Sequence, residues 1–207
     1  MAQFNSTTFG AISGRHGSAV AATTKDGKSI LKIFRAPSNP NTQKQQVQRT
    51  KFGFVNSELG CLRNLFKITF RSNTGINQGV SYAMKNALTG EFPDFAIDFT
   101  KLTFSTGNVY AAVQTSANKT VGTKVKTDWN FTLMTNSKAD DAVHLIFFNE
   151  TTRMALIEQN IAERKDMSVE VELPNIWVGE SIHCWLYFSD NSNFTDSNSQ
   201  FIGTLQL

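Results

Sequence analysis

The spacing of apolar side chains changes character twice along this 207-residue chain. Residues 7–35 read as short strands broken by glycine. There the Lys25-Asp26-Gly27-Lys28 run signals a hairpin, because Asp-Gly readily takes the positive φ of a two-residue turn. Its flanks, Ala19–Thr24 and Ser29–Phe34, are expected to pair antiparallel, with Ile30, Lys32 and Phe34 on one face and Leu31, Ile33 and Arg35 on the other. Pro37 and Pro40 then keep Ala36 and Asn39 out of helical geometry, so a helix can start only at about Asn41 or Thr42, both good caps. From there Val47, Phe54, Val55, Leu59, Leu62, Leu65 and Phe66 recur at helical spacing, while Gln45, Gln46, Gln48, Arg49 and Lys51 avoid that stripe. Gly60 predicts a kink or break between 42–59 and 61–71. After a turn at Asn73-Thr74-Gly75, a second helix carries Ile76, Val80, Ala83, Met84, Ala87 and Leu88 on one side, with Gly90 as its terminating glycine. Pro93 stops it, and strict alternation follows from Phe95 towards Phe104.

Beyond residue 107 the texture is all-β. Strands are predicted near 108–115, 125–133, 142–149, 154–158, 167–173, 181–188 and 200–206, separated by turns rich in Asn, Asp, Ser, Gly and Pro. Seven short strands in about 100 residues predict a β-sandwich of immunoglobulin or fibronectin-III type, with Trp129, Trp185 and Tyr187 as candidates for the inter-sheet core. The fold class is therefore α+β. Residues 1–106 form a hairpin-plus-helices docking module and residues 107–207 the sandwich.

Composition adds a charge asymmetry. Residues 1–71 hold eleven Lys or Arg and two acids, whereas residues 72–207 hold nine bases and fifteen acids. The front half thus suits an acidic partner or head-to-tail contact with another copy. Seventeen Phe against three Tyr and three Trp favour packed interiors over wet binding faces. Cys61 and Cys184, far apart, make no disulfide framework and are read as buried reduced thiols. The first residues lack a basic n-region and a continuous apolar stretch, so no signal peptide is predicted, and no window approaches a membrane-spanning length. The four Asn-x-Ser/Thr sequons are by-products of a high Asn and Thr content.

Tests for chemistry return little. Gly10, Gly14 and Gly17 match neither dinucleotide nor Walker spacing. His16, His144 and His183 are isolated, so no metal site is predicted, and the last two fall on strands among large apolar residues as structural histidines. His183 and Cys184 are adjacent on a strand and point to opposite faces, which prevents a nucleophile–base pair. Asp140-Asp141 sits in a polar loop with no apolar pocket to shift either carboxyl. Residues 190–199 are expected to form a mobile polar loop, and Asp190 and Asp196 in it do not match an EF-hand spacing. The chain is read as a non-enzyme without a cofactor. Arg15, Lys25, Lys28, Lys32, Arg35, Lys44, Arg49 and Lys51 can meet phosphates, but no DNA-reading motif accompanies them, so nucleic acid is not the favoured partner.

The order of motifs carries more. A glycine-rich start (FGAISGRHGSAV), the KDGK turn, the block N-P-N-T…Q-R-x-K-F, the segment L-T-G-x-F-P-x-F and a terminal S-N-S-Q-F-I-G-T-L strand together resemble an uncharacterised domain-of-unknown-function family of Bacteroidota genomes and their phages and prophages. Ala22-Thr23-Thr24 stands where that family suggests an aromatic residue before the turn, so no role of such a ring transfers. The family carries no established catalytic residues, and its phage association implies a virion component. The expected function is structural: an oligomeric assembly protein, in the virion if phage-encoded and otherwise cytoplasmic, docking on its own copies or other virion proteins. The interface candidates are Arg35, Pro37, Pro40, Gln45, Gln48, Arg49 and Lys51. The alternative is a module that binds carbohydrate or protein through sandwich loops, with Phe194 as the exposed ring.

Overall fold

A computed structural model describes residues 2–4, 13–24, 26–36, 38–72, 74–190 and 192–207. Gly10, Lys25, Pro37 and Asn73 lie outside the described residues. The chain falls into two compact units, Met1–Thr42 and Gln43–Leu207.

The first unit is a four-stranded antiparallel sheet of β1 (Ala2–Phe4), β2 (Gly14–His16), β3 (Ala19–Thr23) and β4 (Ser29–Ile33), in the order β1-β4-β3-β2. The predicted hairpin forms, with Ala21 opposite Leu31 and Val20 opposite Lys32. Its turn is wider than two residues: Thr24 and Lys28 pair across it, and Gly27 takes φ +74°. On one face the Arg15 guanidinium lies 4.0 Å over the Phe34 ring. Ala21 is the one apolar side chain buried among the described residues of this unit, while Leu31, Ile33 and Phe34 are exposed.

The second unit is built in three layers. Its helices are α1 (Gln43–Glu58), α2 (Arg63–Thr69) and α3 (Gly75–Asn86), with a 3-10 turn at Leu59–Leu62 where Gly60 predicts the break. The apolar stripe behaves as its spacing predicts from Val55 onward, with Val55, Leu59, Leu62, Leu65 and Phe66 buried. α3 packs so closely on α2 that a Cβ at Gly79 would meet the Phe66 ring at 2.7 Å. Gly90 does not cap α3, which ends at Asn86. It sits at φ +81° in the small hairpin of β5 (Leu88–Glu91) and β6 (Asp94–Ile97), where a Cβ would fall 2.3 Å from the Asp94 carbonyl oxygen.

The sandwich follows. Strands β7 (Val113–Lys119), β8 (Lys124–Asn130) and β11 (Ser168–Glu172) form a sheet in the order β11-β8-β7. A second sheet runs β10-β9-β12, with β13 and β14 both on β12. Its strands are β9 (Ala142–Asn149), β10 (Met154–Glu163), β12 (Ser181–Asp190), β13 (Thr195–Asp196) and β14 (Gln200–Gln206). The register of β10 on β9 breaks between Glu158 and Ala162, where Asn160 takes φ +54°. The first predicted strand, 108–115, shifts to 113–119 because the chain before it is held elsewhere. Val109 bridges Ser197, Ser105 Oγ donates to the Ser197 carbonyl at 2.7 Å, and the Ser199 amide donates to the Ser105 carbonyl.

Between the sheets, Val125, Trp129, Val171 and Trp177 meet Val143, Leu145, Phe147, Ile182, Leu186 and Phe188. The opposite face of β9 and β12 carries Ile146, Phe148, Trp185 and Tyr187, and these pack with Leu59, Leu62, Phe66, Phe99 and Phe104. Trp129 thus takes its predicted inter-sheet place, whereas Trp185 and Tyr187 face the helices instead. The sequence boundary at 106/107 separates elements that share this core. The helices belong with the sheet they cover, and the chain divides after Thr42.

Candidate functional site

At one end of the sandwich the segments before β7, between β8 and β9, and between β12 and β13 enclose a cleft of about 320 Å³. Its lining includes Asn108, Thr135, Asn136, Lys138, Asn193 and Thr195. Two ion pairs set its electrostatics. Lys138 Nζ donates to Asp190 Oδ2 at 2.8 Å, and Asp190 also accepts from Ser192 and from Asn193 Nδ2. The Lys138 ammonium and then the Ser192 donors hold the Asp190 carboxyl far below the usual carboxylate range.

The second pair lies deeper. Arg164 Nε donates to Asp141 Oδ2 at 3.0 Å, with both side chains 1% exposed. Arg164 Nη2 donates to the Tyr110 carbonyl at 2.6 Å, its guanidinium lies 3.7 Å over the Phe188 ring, and its own carbonyl accepts from Trp129 Nε1. The expectation that Asp141 sits in an open polar loop is therefore corrected. Its neighbour Asp140 is exposed, but Asp141 turns inward to meet the arginine that follows β10.

The described residues of loop 190–199 are tied down by contacts. Asp196, expected to be a loop carboxylate, pairs with Arg71 at 2.7 Å, and Gly107 approaches so closely that a Cβ there would lie 2.0 Å from the Asp196 carbonyl oxygen. Phe194, at φ +53°, is 77% exposed between two residues that line the cleft. Sequence reasoning finds this ring but misses Asn108, Thr135 and Asn136, whose polar character alone does not separate them from ordinary loop residues.

The other candidates are placed as follows. Arg35 and Pro40 are exposed in the first unit, and Pro37 lies outside the described residues. In the second unit Gln48 and Arg49 are exposed on α1, Gln45 is half-buried, and Lys51 Nζ stands 5.5 Å from the Phe95 ring centre. Cys184 is buried, and burial pushes its thiol up to about 12. Cys61, read as buried, is exposed on the 3-10 turn because Leu59 and Leu62 take the inward positions. Among the described residues no three His, Cys, Asp or Glu side chains gather as metal ligands, and no helix is long and apolar enough to cross a membrane.

His183 bonds Thr204 Oγ1 at 2.9 Å and Glu150 at 3.2 Å. His144 is stacked on Tyr187 with ring centres 4.5 Å apart, and its Nε2 shares a hydrogen bond with Ser189. Burial, with Arg71 adding to it, pushes the His144 imidazole from 6.5 down to about 4. The unfolded chain then binds a proton below about 6.5 that the folded chain refuses until about 4. Its contribution to stability is complete above that window and falls as pH drops through it, by up to roughly 3 kcal/mol. Urea titrations at pH 7 and pH 4.5 should show this loss, and a His144→Gln variant should show less of it.

The profile of a family of unknown function, DUF6266, matches residues 11–203. The chain belongs to this family. The match runs across β2–β4 as well as the helices and most of the sandwich, and β1 lies ahead of it. No curated protein matches the chain. Among solved structures, the DUF6266 chain is similar to the fn3 domain of human contactin 1. That match has 10% identity, covers 57% of this chain and 86% of that domain, and has a TM-score of 0.29.

Proposed function

We propose that this chain is a non-enzymatic assembly protein, of the kind built into a phage virion, that docks through its basic front half and displays its sandwich. The observation that carries the reading is the poverty of the first unit's own core. A free-standing unit of about 40 residues ordinarily needs disulfides, a metal or a partner to hold its fold. This one buries only Ala21 among its described apolar side chains, and Ile33 is 75% exposed beside Leu31 on the same face. Through Thr42 the chain holds five basic residues and one acid, so an acidic protein surface, on another copy or on a neighbouring virion component, complements it. The phage setting rests on the resemblance of the N-P-N-T…Q-R-x-K-F and L-T-G-x-F-P-x-F blocks.

Light scattering tests the docking half of the proposal. The native chain should self-associate or co-assemble with its neighbouring gene products. Ile33→Asp and Arg49→Glu should each lower the associated fraction severalfold with an unchanged circular dichroism spectrum. A native chain that stays monomeric and is absent from purified particles overturns the reading.

A further inference from the structure

We infer that the cleft at the loop end of the sandwich is a binding site for a neutral saccharide. The site is separate from the docking surface proposed above and does not depend on it.

Charge is the first argument. Both charged pairs at the cleft are internally compensated, Lys138 by Asp190 and Asp141 by Arg164. A phosphate, carboxylate or ammonium ligand would find its counter-charge already engaged, and would have to break a pair to gain one. What remains uncommitted is neutral. The side chains of Asn108, Thr135, Asn136 and Thr195 line the cleft and make no hydrogen bond among the described residues, and the Asn193 amide gives its nitrogen to Asp190. Amides and hydroxyls both donate and accept. A set of such groups around one cavity matches a ligand whose own groups also do both, which is the chemistry of a polyol.

The aromatic residue is the second argument. Phe194 projects into solvent at 77% exposure on a backbone with φ +53°. A bulky residue is rarely found at positive φ, and an exposed phenyl ring gains nothing from folding. Here the flanking residues fix it. Asn193 is bonded to Asp190, and Asp196 is locked by Arg71 and by the close approach of Gly107. The backbone that carries the ring is thereby held between Asn193 and Thr195, two residues that line the cleft, and the ring itself stands exposed at the cleft's margin. A pyranose has the same division, with an apolar C–H face and an equatorial belt of hydroxyls, so it can lie on the ring and direct its hydroxyls into the cleft. The cavity's size, about 320 Å³, suits one or two sugar rings.

The full chain, labelled with maleimide dye at Cys61, should be applied to an array of neutral and anionic glycans. Cys61 neighbours the Glu58–Arg153 ion pair, and Arg153 lies in the β9–β10 turn, at the opposite end of β9 from the cleft. We expect binding to a subset of neutral glycans that persists in 0.5 M salt, where the Debye length is only about 4 Å. Phe194→Ala should weaken it about three- to tenfold, as the loss of one stacking ring does. Asn136→Ala combined with Thr135→Val should weaken it at least as much, whereas Val178→Ala, an exposed residue between β11 and β12, should leave it unchanged. Absence of binding to any neutral glycan overturns the inference. So does binding restricted to anionic glycans and abolished by salt, or neutral binding that survives both the Phe194 and the Asn136/Thr135 substitutions in folded protein.

Discussion

Arg164→Met should destabilise the second unit by about 3–5 kcal/mol, the usual consequence of removing one partner from a buried ion pair. The Arg164 side chain is 1% exposed and its loss strips the Asp141 carboxylate, equally buried, of the cation that pairs with it at 3.0 Å. It also removes the donor to the Tyr110 carbonyl and the cation over the Phe188 ring. Burial pulls the Arg164 pKa down while Asp141 pushes it back, so the carboxylate offsets part of the cost of burying the guanidinium. The double variant Arg164→Met/Asp141→Leu removes the stranded charge and should recover a large part of the loss. Urea denaturation of the two singles and the double gives the coupling directly. If the double is no more stable than the worse single, the pair is not the origin of the effect.

Trp185→Ala should lose a comparable amount, about 3–5 kcal/mol, by opening a cavity between the helices and the central sheet. Trp185 is fully buried, with its ring 4.8 Å from Phe104 edge-on and 5.5 Å from Phe201. Phe104 in turn stacks on Phe66 at 5.3 Å, so the cavity would sit in the chain of rings that joins sheet to helices. Trp185→Phe should be far milder. The buried indole Nε1 has no hydrogen-bond partner among the described residues, and the substitution removes that donor along with the extra volume. Far-ultraviolet circular dichroism during urea unfolding should show the helical signal of the Ala variant lost at lower denaturant than in the native chain. Equal stability of the Ala and Phe variants would place the anchoring elsewhere.

These two side chains also show what the sequence discloses and what it conceals. Helix starts and stops are written in local chemistry: prolines before Thr42, glycine at position 60, and a 3.6-residue stripe running from Val55 to Phe66. The sandwich strands are legible from period and punctuation. The side of the sheet that Trp185 occupies is not, because β9 and β12 are buried on both faces. A strand such as Ala142–Asn149, buried throughout, has no alternation to assign its faces. The same loss of pattern hid the three-layer packing and displaced the expected boundary to 106. The burial of Asp141 is hidden from the sequence for a related reason. Its partner Arg164 lies twenty-three residues away across a strand pairing, and nothing local marks either as buried. Around the cleft, the sequence marks the carboxylates Asp141 and Asp190 and the neighbouring ring Phe194, since a charge or an aromatic in a polar run is conspicuous where an asparagine is not.

The break in β10 has a consequence for how such a chain can be crowded. An unbroken outer strand offers a template on which a second chain can grow a matching strand, and proteins held at high local density are most exposed to that fusion. Here Asn160 at φ +54° bends the outer strand of the larger sheet between Glu158 and Ala162, leaving no long straight run of backbone groups along that border. Along this border the sheet therefore ends on itself, with no continuous template for a strand from another chain.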